Sequence, residues 1–304
     1  MDATRCENAE INVIDCQPPM RYNLLAHRRH HRMGGKVAME LQPVVQIVLG
    51  LLLASAIMTV LWLVQRRTGN AGIVDVGWAA SIGILGIFFA TTSDGYLPRR
   101  LLVAFLIGLW SVRLAVHLML DRVLGRPEEG RYRTLRQRWG QAVGRRLFSF
   151  FQIQALAALF FALPILVIAH NRMDRWTAWD LAGVLVWFAG VGNTILADRQ
   201  LARFKKRPES RGKTCREGWW RYSRHPNYFF EWLHWWSYVP LSVGSPYWWV
   251  ALLAPAMMLY FLLKVTGIPP TEAQALASRG EDYRRYQQST SIFIPWFPKK
   301  GDKT

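Results

Sequence analysis

Seven stretches of this chain stay apolar for about 18 to 22 residues each, and nothing else in it constrains the fold as strongly. They run over about 43–64, 72–90, 101–120, 149–170, 178–197, 226–243 and 246–264. A helix rises about 1.5 Å per residue, so each matches the roughly 30 Å of hydrocarbon in a bilayer. Backbone amides in hydrocarbon must be satisfied within their own segment, which at this length means α-helix. The fold class expected is therefore all-α: a polytopic transmembrane helical bundle of seven or more spans. Gly83 and Gly86 in the second stretch suit close helix packing. A tight turn between Val243 and Pro246 joins the last two stretches into a helical hairpin. Residues 43–304 then form a single membrane domain. Residues 1–42 read as an N-terminal extension, disordered or non-native, because Met39 opens directly into the first apolar stretch and what precedes it is polar and patternless. No short apolar region follows an early basic one, so a cleavable signal peptide is not expected.

Charge supplies the orientation. The 304 residues carry 38 Lys and Arg against 20 Asp and Glu, a net +18. In a soluble protein that surplus would read as a nucleic-acid surface. Here it lies in loops between apolar stretches, and no nucleic-acid module or Gly-rich dinucleotide fingerprint accompanies it. With the 121–148 loop in the cytoplasm, alternation puts 26 Lys and Arg on that side and 10 on the other. The positive-inside rule favours this arrangement. The localisation expected is an integral, multi-pass protein of a bacterial inner membrane, with basic loops and C-terminus cytoplasmic and membrane lipids as partners. Cys6, Cys16 and Cys215 make no paired framework, and no residues show metal-ligand spacing, so neither a disulfide scaffold nor a metal is expected.

One run does not suit a lipid-facing helix: WWRYSRHPNYFFEWLHWW, residues 219–236. Pro226 is well placed at the first turn of a helix. From there Asn227, Glu231 and His234 fall at i, i+4 and i+7, so they share one face. A carboxylate about one turn into the membrane must face a cavity, find a cation or stay protonated. Two readings stay open. Glu231 forms a structural ion pair, with Arg113 as its partner, or it acts as an acid towards a buried substrate carbonyl. The third stretch carries Arg113 and His117, so one of its faces looks inward or towards water. Upstream, GNTILADRQLARFKKRPE places Arg199 and Arg203 on one helix face, with Leu201 and Phe204 facing away. Such a pair is either a bidentate grip for phosphates or a snorkelling helix end. Asp75 reads as an anion at a helix N-terminus, and most of the tryptophans as interfacial anchors.

The run WRYSRHPNYFFEW, with ADRQLARFKK before it and EDYRRYQQSTSIFIPWFP after it, resembles the steroid 5-alpha reductase superfamily. It is most similar to the uncharacterised bacterial integral-membrane proteins grouped with those reductases. The likeness is specific over about 190–298 and weaker through VDVGWA (74–79) and GRYRTLRQRWG (130–140). It implies a reductase-like C-terminal half at 178–304, holding NADPH in a pocket that opens to the cytoplasm. It implies cofactor contacts from Asn193, Asp198, Arg199, Arg203, Trp220, Arg224, His225, Asn227, Tyr228 and Tyr286. Glu231 and Tyr228 become the catalytic candidates. Glu231, His234 and His117 become the substrate contacts, and the 279–298 tail a cofactor lid. Asn193 and Asp198 are five apart where the family has four, so Asp198 transfers less securely. The tyrosine that partners the substrate-side glutamate has no obvious match; Tyr132, Tyr238 and His117 are the stand-ins.

The reaction implied is NADPH-dependent reduction of a C=C bond conjugated to a carbonyl in a lipophilic substrate, whether steroid-like, isoprenoid or fatty. The RHPNY string also resembles the isoprenylcysteine carboxyl methyltransferases, which use S-adenosylmethionine. A non-catalytic lipid-binding membrane protein is the third reading. The Arg199/Arg203 pair and the IFIPWFP tail favour the reductase, since methyl transfer needs no grip for several phosphates.

Overall fold

The first apolar stretch becomes α1 (Pro43–Thr68), opened by Pro43 and closed by Gly69. Gly69 adopts φ +74°, a left-handed cap that lets its N–H donate to the Gln65 carbonyl at 2.9 Å. The computed structural model describes residues 41–299. The N-terminal extension up to residue 40, Met39 included, lies outside the described residues.

The chain continues through α2 (Ile73–Thr92), α3 (Leu97–Leu118), α4 (Gly130–Trp139), α5 (Val143–Ala169) and α6 (Ala178–Lys205). It ends with α7 (Pro226–Trp236), α8 (Tyr238–Ser242), α9 (Leu253–Tyr260) and α10 (Ile268–Ser289). Among the described residues, six helical runs are long and apolar enough to cross a membrane. The 226–243 stretch is helical as well, as α7 and α8 in close succession, with a combined length of about 25 Å. The architecture is the expected all-α transmembrane bundle, and the chain is an integral multi-pass membrane protein. After α8, Gly244 at φ +87° turns the chain back towards α9, as the hairpin requires.

Small residues set the helix crossings. A Cβ on Gly83 would lie 2.3 Å from the Ser111 hydroxyl, and one on Gly86 2.6 Å from the Ile107 side chain. The two glycines therefore let α2 close onto α3. Gly190 does the same for α6 and α7: a Cβ there would sit 2.6 Å from the His234 backbone nitrogen. The bundle centre is aromatic. Trp235 meets Trp110 edge-on at 5.1 Å and Phe161 at 4.8 Å, and Trp78 meets Phe161 at 5.5 Å.

The two ends of the bundle are closed by charge. At one end Arg99 grips Asp180 with two hydrogen bonds of 2.7 and 2.9 Å, both side chains almost fully buried. Asp180 also completes a capping box with Thr177 at the start of α6. At the other, Asp75 stands in the first turn of α2 as the helix-terminus reading expects, but it does more. It holds Arg122 (2.7 Å), Arg131 and the Tyr132 hydroxyl (3.0 Å), tying the 121–148 loop to the bundle.

Candidate functional site

The quoted run builds its site by anchoring the loop before α7 to α6 and α10. The Trp220 indole donates to the Ala197 carbonyl at 2.9 Å. The Trp219 indole donates to Asn193 Oδ1 at 3.1 Å. From α10, the Tyr286 hydroxyl donates to the carbonyls of Trp220 and Ser223. Arg224 forms an ion pair with Glu272 at 2.7 Å and donates to the Gln287 carbonyl at 2.8 Å. The tail then clips the loop in place: Arg224 N–H donates to Ser291 O at 2.8 Å, and Trp296 N–H to Tyr222 O at 2.9 Å. The expected lid is thus a strap over the loop.

Between α6, this loop, the start of α7 and α10 lies a cavity of about 530 Å³, within the usual range for a ligand pocket. Lys205, Arg211, Lys213, Arg224 and Arg279 bring five cations to its wall. Arg224 is matched by Glu272. The other four have no carboxylate partner among the described residues. Tyr228 and His225 stack beside it, with ring centres 5.4 Å apart and planes 4° from parallel. The Tyr228 hydroxyl lies 3.2 Å from Thr271 Oγ1. His225 is buried, and burial lowers its pKa below the usual imidazole value against the opposing pull of Glu272. Burial also raises the Cys215 thiol, another wall residue.

Of the ten cofactor candidates, Trp220, Arg224, His225, Asn227, Tyr228 and Tyr286 line this cavity. Two do so in a different capacity from that expected. The polar groups of Trp220 and Tyr286 are spent on backbone carbonyls, so these side chains shape the wall. Four candidates lie elsewhere. Asn193 receives the Trp219 indole, and Asp198 pairs with Arg113 and Asn227. Arg199 and Arg203 are exposed on the opposite face of α6. The expected facing is reversed: Leu201, Phe204 and Lys205 turn to the cavity, because successive helical residues are 100° apart and these three cluster half a turn from Arg199 and Arg203.

The polar row on α7 forms as its spacing predicts, and all of it packs against α3 and α6. Asn227 Nδ2 donates to Asp198 Oδ1 at 3.1 Å. Glu231 Oε1 accepts from the Trp110 indole at 2.8 Å, and its other oxygen faces Arg113 at 3.6 Å. Arg113 in turn donates to Asp198 at 2.7 Å. His234 is fully buried, stacked on Trp110 at 5.1 Å, with Nε2 3.0 Å from the Tyr238 hydroxyl. Of the two readings left open for Glu231, the ion pair with Arg113 is the one seen. Glu231 is not among the residues lining the 530 Å³ cavity. Tyr132 is a partner of Asp75 and not of Glu231, Tyr238 reaches Glu231 only through His234, and His117 is exposed on α3.

The cations at 205, 211, 213 and 279, and Thr271, were not singled out by residue from the sequence. The signal for three of them was present in KKRPESRGKTC, where Gly212 at φ +72° makes the turn that places Arg211 and Lys213 side by side on the rim.

With this geometry in hand, comparison with known proteins gives a family. Residues 61–290 match the family described as protein of unknown function (DUF1295). The chain belongs to that family. A relative is an uncharacterised protein of Schizosaccharomyces pombe, 30% identical over 221 residues, which cover 63% of each chain. The chain thus spans just under two thirds of the length of that curated relative. No solved structure matches. The matched range takes in the whole cationic cavity from Leu201 to Tyr286.

Proposed function

We propose that this DUF1295 protein is a membrane-embedded reductase that binds NADPH in the 530 Å³ cavity and reduces a C=C bond conjugated to a carbonyl in a lipophilic substrate. The observation that carries this reading is the set of cations at the cavity wall, four without a carboxylate partner. A dinucleotide with a pyrophosphate and a 2′-phosphate gives such a set its counter-charges. S-adenosylmethionine, with one carboxylate and a sulfonium, would leave most of them unmatched. The resemblance to the steroid 5-alpha reductase superfamily supports the same assignment.

When bound, NADPH would supply the hydride for the β-carbon of the conjugated system. The chain's own residues do the rest. Lys205, Arg211, Lys213 and Arg279 bind phosphate oxygens by charge-assisted hydrogen bonds. Tyr228 and His225 add a stacked aromatic pair to the lining, next to Asn227. The positive-inside rule favours the cytoplasm for this basic end, where the reduced nucleotide is available.

Turnover by detergent-purified protein tests the reading. A panel of lipid enones with NADPH should yield products heavier by two hydrogen atoms, with NADPH consumed in equal amount. Methyl transfer from S-adenosylmethionine to a lipid would establish the methyltransferase instead. Lipid binding without either reaction would establish the non-catalytic reading.

A further inference from the structure

A second hollow, of about 450 Å³, opens between α3 and α6 beside the cationic cavity. Arg113 and Asp198 form its polar end, with His117 and Arg199 next to them. Val112, Val116 and Ile195 form the rest. Val112 and Val116 are 62% and 52% exposed, and Leu109, Phe105 and Leu101 continue that exposed apolar stripe along α3. So the hollow is polar at one end and leads into a lipid-facing strip as long as the helix.

Two features make the polar end more than a snorkelling helix terminus. Arg113 is held by two carboxylates, Asp198 at 2.7 Å and Glu231 at 3.6 Å, which occupy at most two of its five donors. Among the described residues its remaining donors have no partner, nor has Arg199 or His117. Secondly, Asp198 also accepts from Asn227 at 3.1 Å, and Asn227 lines the cationic cavity. One hydrogen bond therefore links the polar end of the hollow to the lining of the cationic cavity. The net charge of the lining side chains, Arg113 and Arg199 against Asp198, is +1 with His117 neutral.

We propose, on the reductase reading given above, that this hollow is the substrate site. A single-chain lipid with a conjugated carbonyl at one end enters sideways from the bilayer between α3 and α6. Its oxygen accepts a hydrogen bond from Arg113, and its chain lies along Val112, Val116 and the α3 stripe. The length of that stripe favours an extended chain over a compact polycycle. Glu231 is then a positioning residue: it holds Arg113 from behind, with Trp110 fixing the carboxylate, and does not touch the substrate. The unused N–H donors of Arg113 suit an oxygen on which negative charge develops.

The test uses the full chain in lipid nanodiscs and a sixteen-carbon enone probe bearing a diazirine close to its enone. Labelled peptides are mapped by mass spectrometry. Labels are expected on 109–117 and 195–199. Val116→Trp, a substitution on the lipid-facing surface, should fill the hollow and cut that labelling at least tenfold, with NADPH affinity unchanged within twofold. Arg113→Gln should have the same effect, and Arg113→Lys should recover part of it. Because Glu231 acts through Arg113, Glu231→Gln should weaken labelling less than Arg113→Gln and add nothing when the two are combined. Labelling that Val116→Trp and Arg113→Gln both leave intact, or that maps elsewhere in the bundle, overturns the proposal. So does a Glu231→Gln effect that adds in full to that of Arg113→Gln. Labelling that behaves as expected in a protein that binds no NADPH would sink the reductase reading while leaving the lipid site standing.

Discussion

The two ends of the bundle are both rich in charge, and they use it in opposite ways. At the Arg99 end the charges at and around the cavity wall are matched, although Arg100, Asp174 and Arg175 nearby have no ion-pair partner among the described residues. Arg99 holds Asp180, and Asp94 holds Arg172 and His170, whose other nitrogen lies 2.7 Å from Gln46. Burial alone would raise the Asp94 carboxyl, but its bonds to Arg172 and His170 outweigh that and hold it below the usual carboxylate value. A cavity of about 970 Å³ lies at this end, walled largely by Ile47, Leu163, Leu166, Val167, Met173 and Tyr247. The basic end has a smaller cavity of about 530 Å³, and four of the cations at its wall are unmatched. On the proposed function, unmatched charge and not volume marks the site, because cations kept together without counter-ions repel one another, and an anionic ligand removes that penalty.

If the division is real, mutations at the two ends should fail differently. The largest effect is expected from Arg99→Met, which strands Asp180 as a buried, unpaired carboxylate. The loss of stability should be about 3–5 kcal/mol, read as a lower unfolding temperature in detergent, with nucleotide affinity of the folded fraction unchanged. A fall in affinity instead would break the comparison. Next in size, Lys213→Gln should weaken NADPH binding about tenfold, equivalent to about 1.4 kcal/mol, while shifting stability by less than about 0.5 kcal/mol. A stability loss as large as that of Arg99→Met would mean that the basic rim is structural after all.

A smaller effect should come from pH. His225 has a lowered pKa in the folded state because it is buried. The unfolded chain therefore takes up its proton first. The stability this group contributes is present above about pH 6.5 and lost as the pH falls below that value and through the lowered folded pKa. Differential scanning between pH 7.5 and 5.5 should show the decline, and His225→Gln should flatten it. The smallest effect sharpens the picture most. Arg203→Gln should leave NADPH affinity within twofold, since Arg203 stands on the far side of α6 from the cavity. A tenfold loss would restore the phosphate grip that the family resemblance implied.

Segment length and hydrophobicity made the bundle legible, because a hydrocarbon core admits so few backbone solutions. Local rules were legible too: Pro226 opens α7, Gly83 and Gly86 sit at a close crossing, and Asn227, Glu231 and His234 share a face. What helical spacing could not supply was absolute direction. It puts Arg199 and Arg203 on one face and Leu201 and Phe204 on the other, but only the docking of α7 and α10 decides which face meets the cavity. Loop cations were harder still. Arg211 and Lys213 reach the rim through a turn at Gly212 and through the anchoring of Trp220 to Ala197, contacts no periodicity encodes. The partner of Glu231 was within reach, since Arg113 is a rare intramembrane cation.

The reading stands most directly on a titration of purified protein with NADPH, followed by quenching of its tryptophan fluorescence at low and high salt. Saturable binding that weakens steeply with added salt, and that the double substitution Arg211→Gln and Lys213→Gln abolishes, is the result expected. Absence of saturable binding at low salt, or binding indifferent to both salt and that double substitution, would contradict it.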